Sequence, residues 1–180
     1  LHSTRTDMWS MIHDFGASVV LALDCQENDF YWPIEEGSTI TYSPFTIRCN
    51  QVEDLTSYIT KYQLEVKKHN QALDVTLLYL DWRTDDVGPV SDLLQLYAIV
   101  HSLEKGLDDI YPIVVQCKTG YERSGLYCIM SNAIKMLKAE RRVDVYQCVQ
   151  TARTRRPQFI KSLNQYRFIH DAVKVYISKQ

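Results

Sequence analysis

Cys117 and Arg123 stand six positions apart, with Ser124-Gly125 directly behind the arginine. An apolar run, Pro112 to Val115, leads through Gln116 into the cysteine, and a helical pattern begins near Arg123. A loop between a strand and a helix turns its backbone N–H groups toward one point. The helix dipole adds positive potential there, so the concavity suits an anion of phosphate shape. The same field stabilises a thiolate, which makes Cys117 a stronger nucleophile than a free cysteine. Arg123 can hold two phosphate oxygens in its planar fork, and Ser124 can donate to the sulfur and help it leave. Cysteine is also a common buried residue, and Cys-x5-Arg alone is weak. The flanking strand, the flanking helix and "RSG" at the junction are what strengthen it.

The remaining elements must place this loop. Thr6-Asp7 caps a first helix with Met8, Trp9, Ile12 and Phe15 inward and Gly16 as its stop. Residues 17–23 read as a buried strand and 39–49, 55–66 and 72–80 as extended runs. Alternation at Tyr58, Tyr62, Leu64 and Val66 predicts a half-exposed antiparallel strand, and the more continuously apolar "LDVTLLYL" a central one. A loop follows at 81–90, then a helix over 91–105 stopped by Gly106, and a short buried strand at Ile113–Val115. Helical segments at 123–139, 143–154 and 162–178 close the chain, with Pro157 between the last two. This order predicts one mixed α/β (α+β) domain over 1–180, a central mixed twisted sheet flanked by helices.

Bulk properties narrow the function. The 180 residues suffice for one real core, and 46% hydrophobic with 23% charged residues is ordinary for a globular chain. A net charge of -2 leaves no electrostatic footprint for nucleic acid. Five cysteines without a C-x-x-C pair, and five scattered histidines, predict neither a disulfide framework nor a metal site, and no cofactor is called for.

The stretch "VVQCKTGYERSG" resembles the V-H-C-S-x-G-x-G-R-[ST]-G loop of protein tyrosine phosphatases. "FYWP" at 30–33 is similar to that family's YWP, and "LLYLDW" at 77–82 to the approach to its mobile acid loop. "RTRRPQFIKSLNQYRFIHDAV" at 153–173 resembles the family's last-loop segment. These matches cover nearly the whole chain in the family's order. The resemblance implies a chain that starts inside the family's domain, truncated on its amino-terminal side. It also implies Cys117 as nucleophile, Arg123 and Ser124 as its partners and Asp85 or Asp86 as general acid. The phosphate-binding surface would be Lys118, Thr119, Gly120, Tyr121, Glu122, Lys161 and Gln165 together with Cys117 and Arg123.

Departures gather at the chemistry. Glu122 replaces the loop's second glycine, a position expected to need an unusual backbone angle. A carboxylate ~4 Å from a phosphate charge costs on the order of 4 kcal/mol per charge pair at an effective dielectric of about 20. Trp82 is followed by Arg83-Thr84 instead of Pro-Asp, so Asp85 and Asp86 fall one and two places late. Losing a general acid costs roughly 10²–10⁴ in rate. Lys161 stands where the family's water-orienting glutamine falls and cannot accept a hydrogen bond from that water. Gln116 replaces the histidine before the cysteine, and Tyr121 adds bulk at the rim.

This pattern resembles the second, membrane-distal phosphatase domain of receptor-type tyrosine phosphatases. That resemblance implies weak or absent turnover and a role in regulation and phosphotyrosine or partner binding. It also implies a companion first domain and a place on the cytoplasmic side of the plasma membrane in a single-pass receptor. The competing expectation is a working tyrosine phosphatase that passes through a phosphocysteine. Two lesser readings are an inositol-phospholipid phosphatase, from the charge of Lys118, and a redox-sensing Cys117.

Overall fold

The computed structural model describes residues 4–24, 30–82, 87–104 and 112–179. They form two compact units, one of Leu1–Asp81 with Gly106–Gln116, the other of Trp82–Lys105 with Cys117–Gln180.

The first unit is built on a six-stranded mixed sheet in the order β2-β3-β4-β5-β1-β6. Its helix α1 is Arg5–Asp14, and its strands are β1 Val19–Leu23, β2 Thr39–Tyr42, β3 Phe45–Asp54, β4 Ile59–Lys68, β5 Gln71–Leu80 and β6 Ile113–Cys117. β2 to β5 run as an antiparallel meander, while β5 and β1 pair in parallel. β1 lies between β5 and β6, and all five of its residues are buried, as an interior strand of small and branched apolar residues should be. Thr56 closes the β3–β4 turn, its hydroxyl accepting from the Tyr58 and Ile59 amides at 3.1 and 3.0 Å.

The core of this unit gathers Trp9 and Ile12 of α1, the inward residues of β1 and β3 to β5, and the pair Tyr31-Trp32. Trp32 packs against Phe30, Tyr31, Tyr62 and Tyr79 with ring centroids 4.8–6.1 Å apart. The Trp9 indole N–H donates to the Tyr31 carbonyl at 3.1 Å, which ties α1 to the FYWP stretch. Each such aromatic pair adds about 0.5–1.5 kcal/mol beyond its burial.

Several expectations need correction. Phe15, the α1 C-cap, is 68% exposed, because the helical path carries it about a quarter-turn off the stripe that Trp9 and Ile12 bury. Thr6-Asp7 lie inside the first turn, and Thr4 is the N-cap. The run 39–49 is two strands with a turn at Ser43-Pro44, where the proline has no N–H to offer a ladder. Tyr58 precedes β4 and does not share its alternation. β6 is half-buried at Ile113–Gln116 and not fully buried, since it is an edge strand. The mixed sheet, the central place of β5 and the strand-then-helix order stand as expected. Gly106 lies outside the described residues.

The second unit is helical: α2 Val90–Glu104, α3 Glu122–Glu140, α4 Val145–Arg155 and α5 Leu163–Ser178. α3 packs against α2, α4 and α5. Asp144 caps α4 by accepting from the Gln147 amide at 2.9 Å. Ser162 and Gln165 form a reciprocal capping box at the start of α5. Such caps satisfy amides that would otherwise be orphaned, at about 1 kcal/mol each.

Candidate phosphate-binding loop

Cys117 ends β6, and Glu122 opens α3, so the connecting loop is the four residues 118–121, and the fifth residue of the Cys-x5-Arg gap already belongs to the helix. Gly120 makes that path possible. It sits at φ +71, and its amide donates to the Cys117 carbonyl at 3.1 Å. A β-carbon there would also meet the Arg156 guanidinium at 3.3 Å. Gly125 serves a different need. A β-carbon at that position would lie 2.9 Å from the Phe159 ring, so only glycine lets the first turn of α3 approach the segment after α4.

The Cys117 sulfur is buried, 3.4 Å from the Ser124 hydroxyl and 3.8 Å from the Thr119 hydroxyl. Burial alone pushes the thiol's pKa up. Hydrogen bonds from the Ser124 side chain and amide, the Thr119 hydroxyl and the Gly120 amide outweigh it and hold the thiol below its ordinary value. Ser124 itself is buried, a polar group whose hydroxyl faces the sulfur. Cys128, one turn further along α3, goes the other way. Burial pushes it up to about 11, with the Cys117 charge adding to the rise.

Arg123 lies with its guanidinium carbon 5.3 Å from the centre of the buried Trp82 ring. Burial lowers its pKa, yet a guanidinium keeps its charge. Trp82 and Arg123 are thus in contact. Arg83, Thr84 and both candidate acids, Asp85 and Asp86, lie outside the described residues.

Glu122 corrects one expectation. It is the first residue of α3, in the helical region, and the loop's left-handed residue is Gly120. Glutamate is therefore tolerated here without backbone strain, and its charge complements the helix dipole. Thr119 and Glu122 clasp each other. The Glu122 amide donates to the Thr119 hydroxyl at 3.2 Å, and the single hydrogen of that hydroxyl is shared between the Glu122 carboxylate at 3.3 Å and the Cys117 sulfur at 3.8 Å, one acceptor at a time. The carboxylate is consequently no farther from the sulfur than these two hydroxyl contacts laid end to end. The Glu122 amide is spent on a neighbouring side chain.

Lys118 is exposed. Tyr121 and Lys161 meet, the ammonium 4.1 Å from the ring centre, a contact worth about 0.5–1 kcal/mol at an exposed site. Ile160, just before Lys161, is buried and held at φ +54, a costly backbone for a β-branched residue. The Gln165 side-chain carbonyl accepts from the Lys161 amide at 2.8 Å and the Ser162 amide at 3.4 Å, so this oxygen orders the start of α5. Sequence reasoning missed Arg156, whose guanidinium lies over Gly120. Its only signal was a place in the arginine-rich "RTRRP" stretch. Lys118, Arg123, Arg156 and Lys161 belong to or touch the loop, against one carboxylate, that of Glu122, among the described residues. The loop remains attractive to an anion.

Comparison with known proteins agrees with this geometry. The family profile of the protein-tyrosine phosphatases matches residues 1–174. The chain is 28% identical to human receptor-type tyrosine-protein phosphatase alpha over 97% of its own length and 22% of that protein's. It is 31% identical to human tyrosine-protein phosphatase non-receptor type 4, over 98% of the chain and 20% of the relative. A receptor-type tyrosine-protein phosphatase of Caenorhabditis elegans is 29% identical over 98% of the chain and 14% of the relative. The chain thus spans about a fifth or less of these relatives. With a cysteine loop of this geometry and a profile match along nearly its whole length, the chain belongs to the protein-tyrosine phosphatase family of hydrolases.

Proposed function

We propose that this is a catalytically impaired phosphatase domain that binds phosphotyrosine proteins or peptides and acts by regulation and partner binding. The observation that carries the reading is the Thr119–Glu122 clasp, which occupies the Glu122 amide and ties a carboxylate to the same hydroxyl that touches the thiol. The absence of Pro-Asp after Trp82 supports it, because the leaving phenolate then lacks its usual proton donor. So does Lys161, which cannot accept a hydrogen bond from an attacking water. The similarity to receptor-type relatives supports a second phosphatase domain of a single-pass receptor. Its companion first domain lies in the same protein, and both face the cytoplasm at the plasma membrane. The binding residues are Cys117 to Arg123, with Lys161 and Gln165.

A working phosphatase is the second reading, favoured by the lowered thiol and its Ser124 partner. Here the Cys117 thiolate attacks phosphorus while Arg123 holds two equatorial oxygens. The P–O bond to tyrosine breaks, and Asp85 or Asp86 gives the phenolate its proton. Water then cleaves the S–P bond, releasing phosphate and the thiolate, which Ser124 stabilises.

Hydrolysis of a small aryl phosphate separates the two. The impaired domain and its Cys117→Ser variant show the same background rate. The triple change Arg83→Pro, Thr84→Asp and Glu122→Gly raises the Cys117-dependent rate roughly 10²–10⁴-fold. Robust turnover by the parent that disappears with Cys117→Ser, or no gain from the triple change, would overturn the impaired reading.

A further inference from the structure

We propose that the far end of α3 carries a second binding site, a pocket for an acidic peptide segment that bears an aliphatic side chain. The proposal stands apart from the Cys117 loop and does not depend on whether that loop turns over. A cavity of about 300 Å³ opens between Leu137, Lys138 and Arg141 at the end of α3 and Ile177 at the end of α5. That volume is at the small end of ligand pockets and fits one or two side chains. Its apolar wall is Leu137 with Ile177, and Ile177 is 50% exposed, a large aliphatic left uncovered.

The polar wall is cationic and pre-organised. The Lys138 ammonium sits 5.4 Å from the Tyr97 ring centre and 5.8 Å from that of Tyr176, in the corner of two rings at 90° to one another. Arg141 is the α3 C-cap, held at φ 59 with its amide donating to the Leu137 carbonyl at 3.0 Å. Glycine is the usual occupant of such a left-handed cap. Here the chain places a guanidinium at the pocket rim instead.

Charge decides the occupant. Among the described residues neither Lys138 nor Arg141 has an acidic partner, whereas three nearby cations do. Lys135 pairs with Glu104 at 3.0 Å, Arg142 with Glu140 at 2.9 Å and Lys174 with Asp171 at 3.7 Å. Two cations without an acidic partner among the described residues thus face one cavity, with exposed Lys179 close behind Ile177 in sequence. A membrane surface would call for a cluster of several unpaired basic residues. A side-chain-sized cavity with two cations and two aliphatics fits a short peptide with carboxylates around a leucine-like residue. The negative helix end opposes such an anion with only about half a charge, less than the two full charges beside it.

The probe is a fluorescein-labelled five-residue peptide with one leucine among four glutamates, titrated into the ¹⁵N-labelled chain. Saturable binding should shift the amides of Leu137, Lys138, Arg141 and Ile177 and leave those of 117–123 in place. Arg141→Glu and Ile177→Asp, both at exposed positions, should each weaken binding at least tenfold with only a small fall in the temperature of thermal unfolding, the cost of an acid at a helix C-terminus. Replacing the leucine by glycine in the peptide should weaken it as well. No shift at these amides up to millimolar peptide, or equal affinity in both variants, overturns the proposal. Tighter binding to phosphatidylserine vesicles than to the peptide, lost in the same variants, overturns the choice of a peptide.

Discussion

The two ends of α3 solve the same problem with opposite charges. At its start, Glu122 meets the positive end of the dipole and Thr119 holds its carboxylate. At its end, Arg141 and Lys138 meet the negative end. Both choices stabilise the helix by a few tenths of a kcal/mol to about 1 kcal/mol. Their consequences for ligands differ. The acid at the start opposes any anion that approaches the loop amides. The cations at the end have no acidic partner among the described residues, which leaves them open to an anion from outside. What suits a helix in isolation is thus hostile to ligand at one end and permissive at the other.

The contrast can be sharpened first at the sulfur. Cys117, beside the first turn of α3, is held low, while Cys128 within the helix is pushed up to about 11. Iodoacetamide labelling followed by mass spectrometry across pH should therefore show Cys117 reacting well below the pH that Cys128 requires. Because its folded pKa is depressed, the thiolate's contribution to stability is present above the unfolded value and lost as pH falls through the folded one. Ser124→Ala should move the Cys117 midpoint upward. A midpoint at or above that of Cys128 would break the comparison.

A smaller effect is expected from Glu122→Gln, which keeps the side chain's size and removes its charge. Glu122 is exposed, so the ~4 kcal/mol of a partly buried pair shrinks toward about 1 kcal/mol in water. Orthovanadate should bind roughly fivefold more tightly, while thermal unfolding falls slightly because the helix loses its acidic first turn. Weaker oxyanion binding would mean that the carboxylate does not oppose the ligand.

The smallest change belongs to the other end. Arg141→Gly places the preferred residue in the left-handed cap and should stabilise the chain by about 0.5–1 kcal/mol, a rise of roughly 1–4 °C in Tm. The same variant should lose affinity for the acidic peptide. A fall in Tm would show that the arginine supports the fold more than it strains it.

Much of this arrangement was legible in the sequence, and the reasons are local. The strand, the five-residue gap and the helix around Cys117 each rest on a run of apolar residues or a glycine. Pattern reports such features well. The helices after residue 122 were legible for the same cause. What escaped were facts set by a single atom or by residues far apart in the chain. Pro44 splits an extended run because it lacks one hydrogen. The left-handed angle belongs to Gly120 and not to position 122, since the first turn of α3 already includes Glu122. Arg156 over Gly120 and Lys161 over Tyr121 are meetings between segments, and periodicity carries no information about them.

Ile160 joins two ledgers that are normally kept apart. A β-branched residue held at φ +54 resists its own backbone by about 1–2 kcal/mol. Its side chain, 6% exposed, recovers a similar amount by staying out of water. The heading of the chain as it leaves residue 160 is therefore decided by hydrocarbon packing and not by torsional preference. The next residue is the lysine that lies against Tyr121. Lipophilicity at one position thus fixes where a positive charge stands at the next, and a cavity opened beneath Ile160 would be felt at the loop as a change of electrostatic potential.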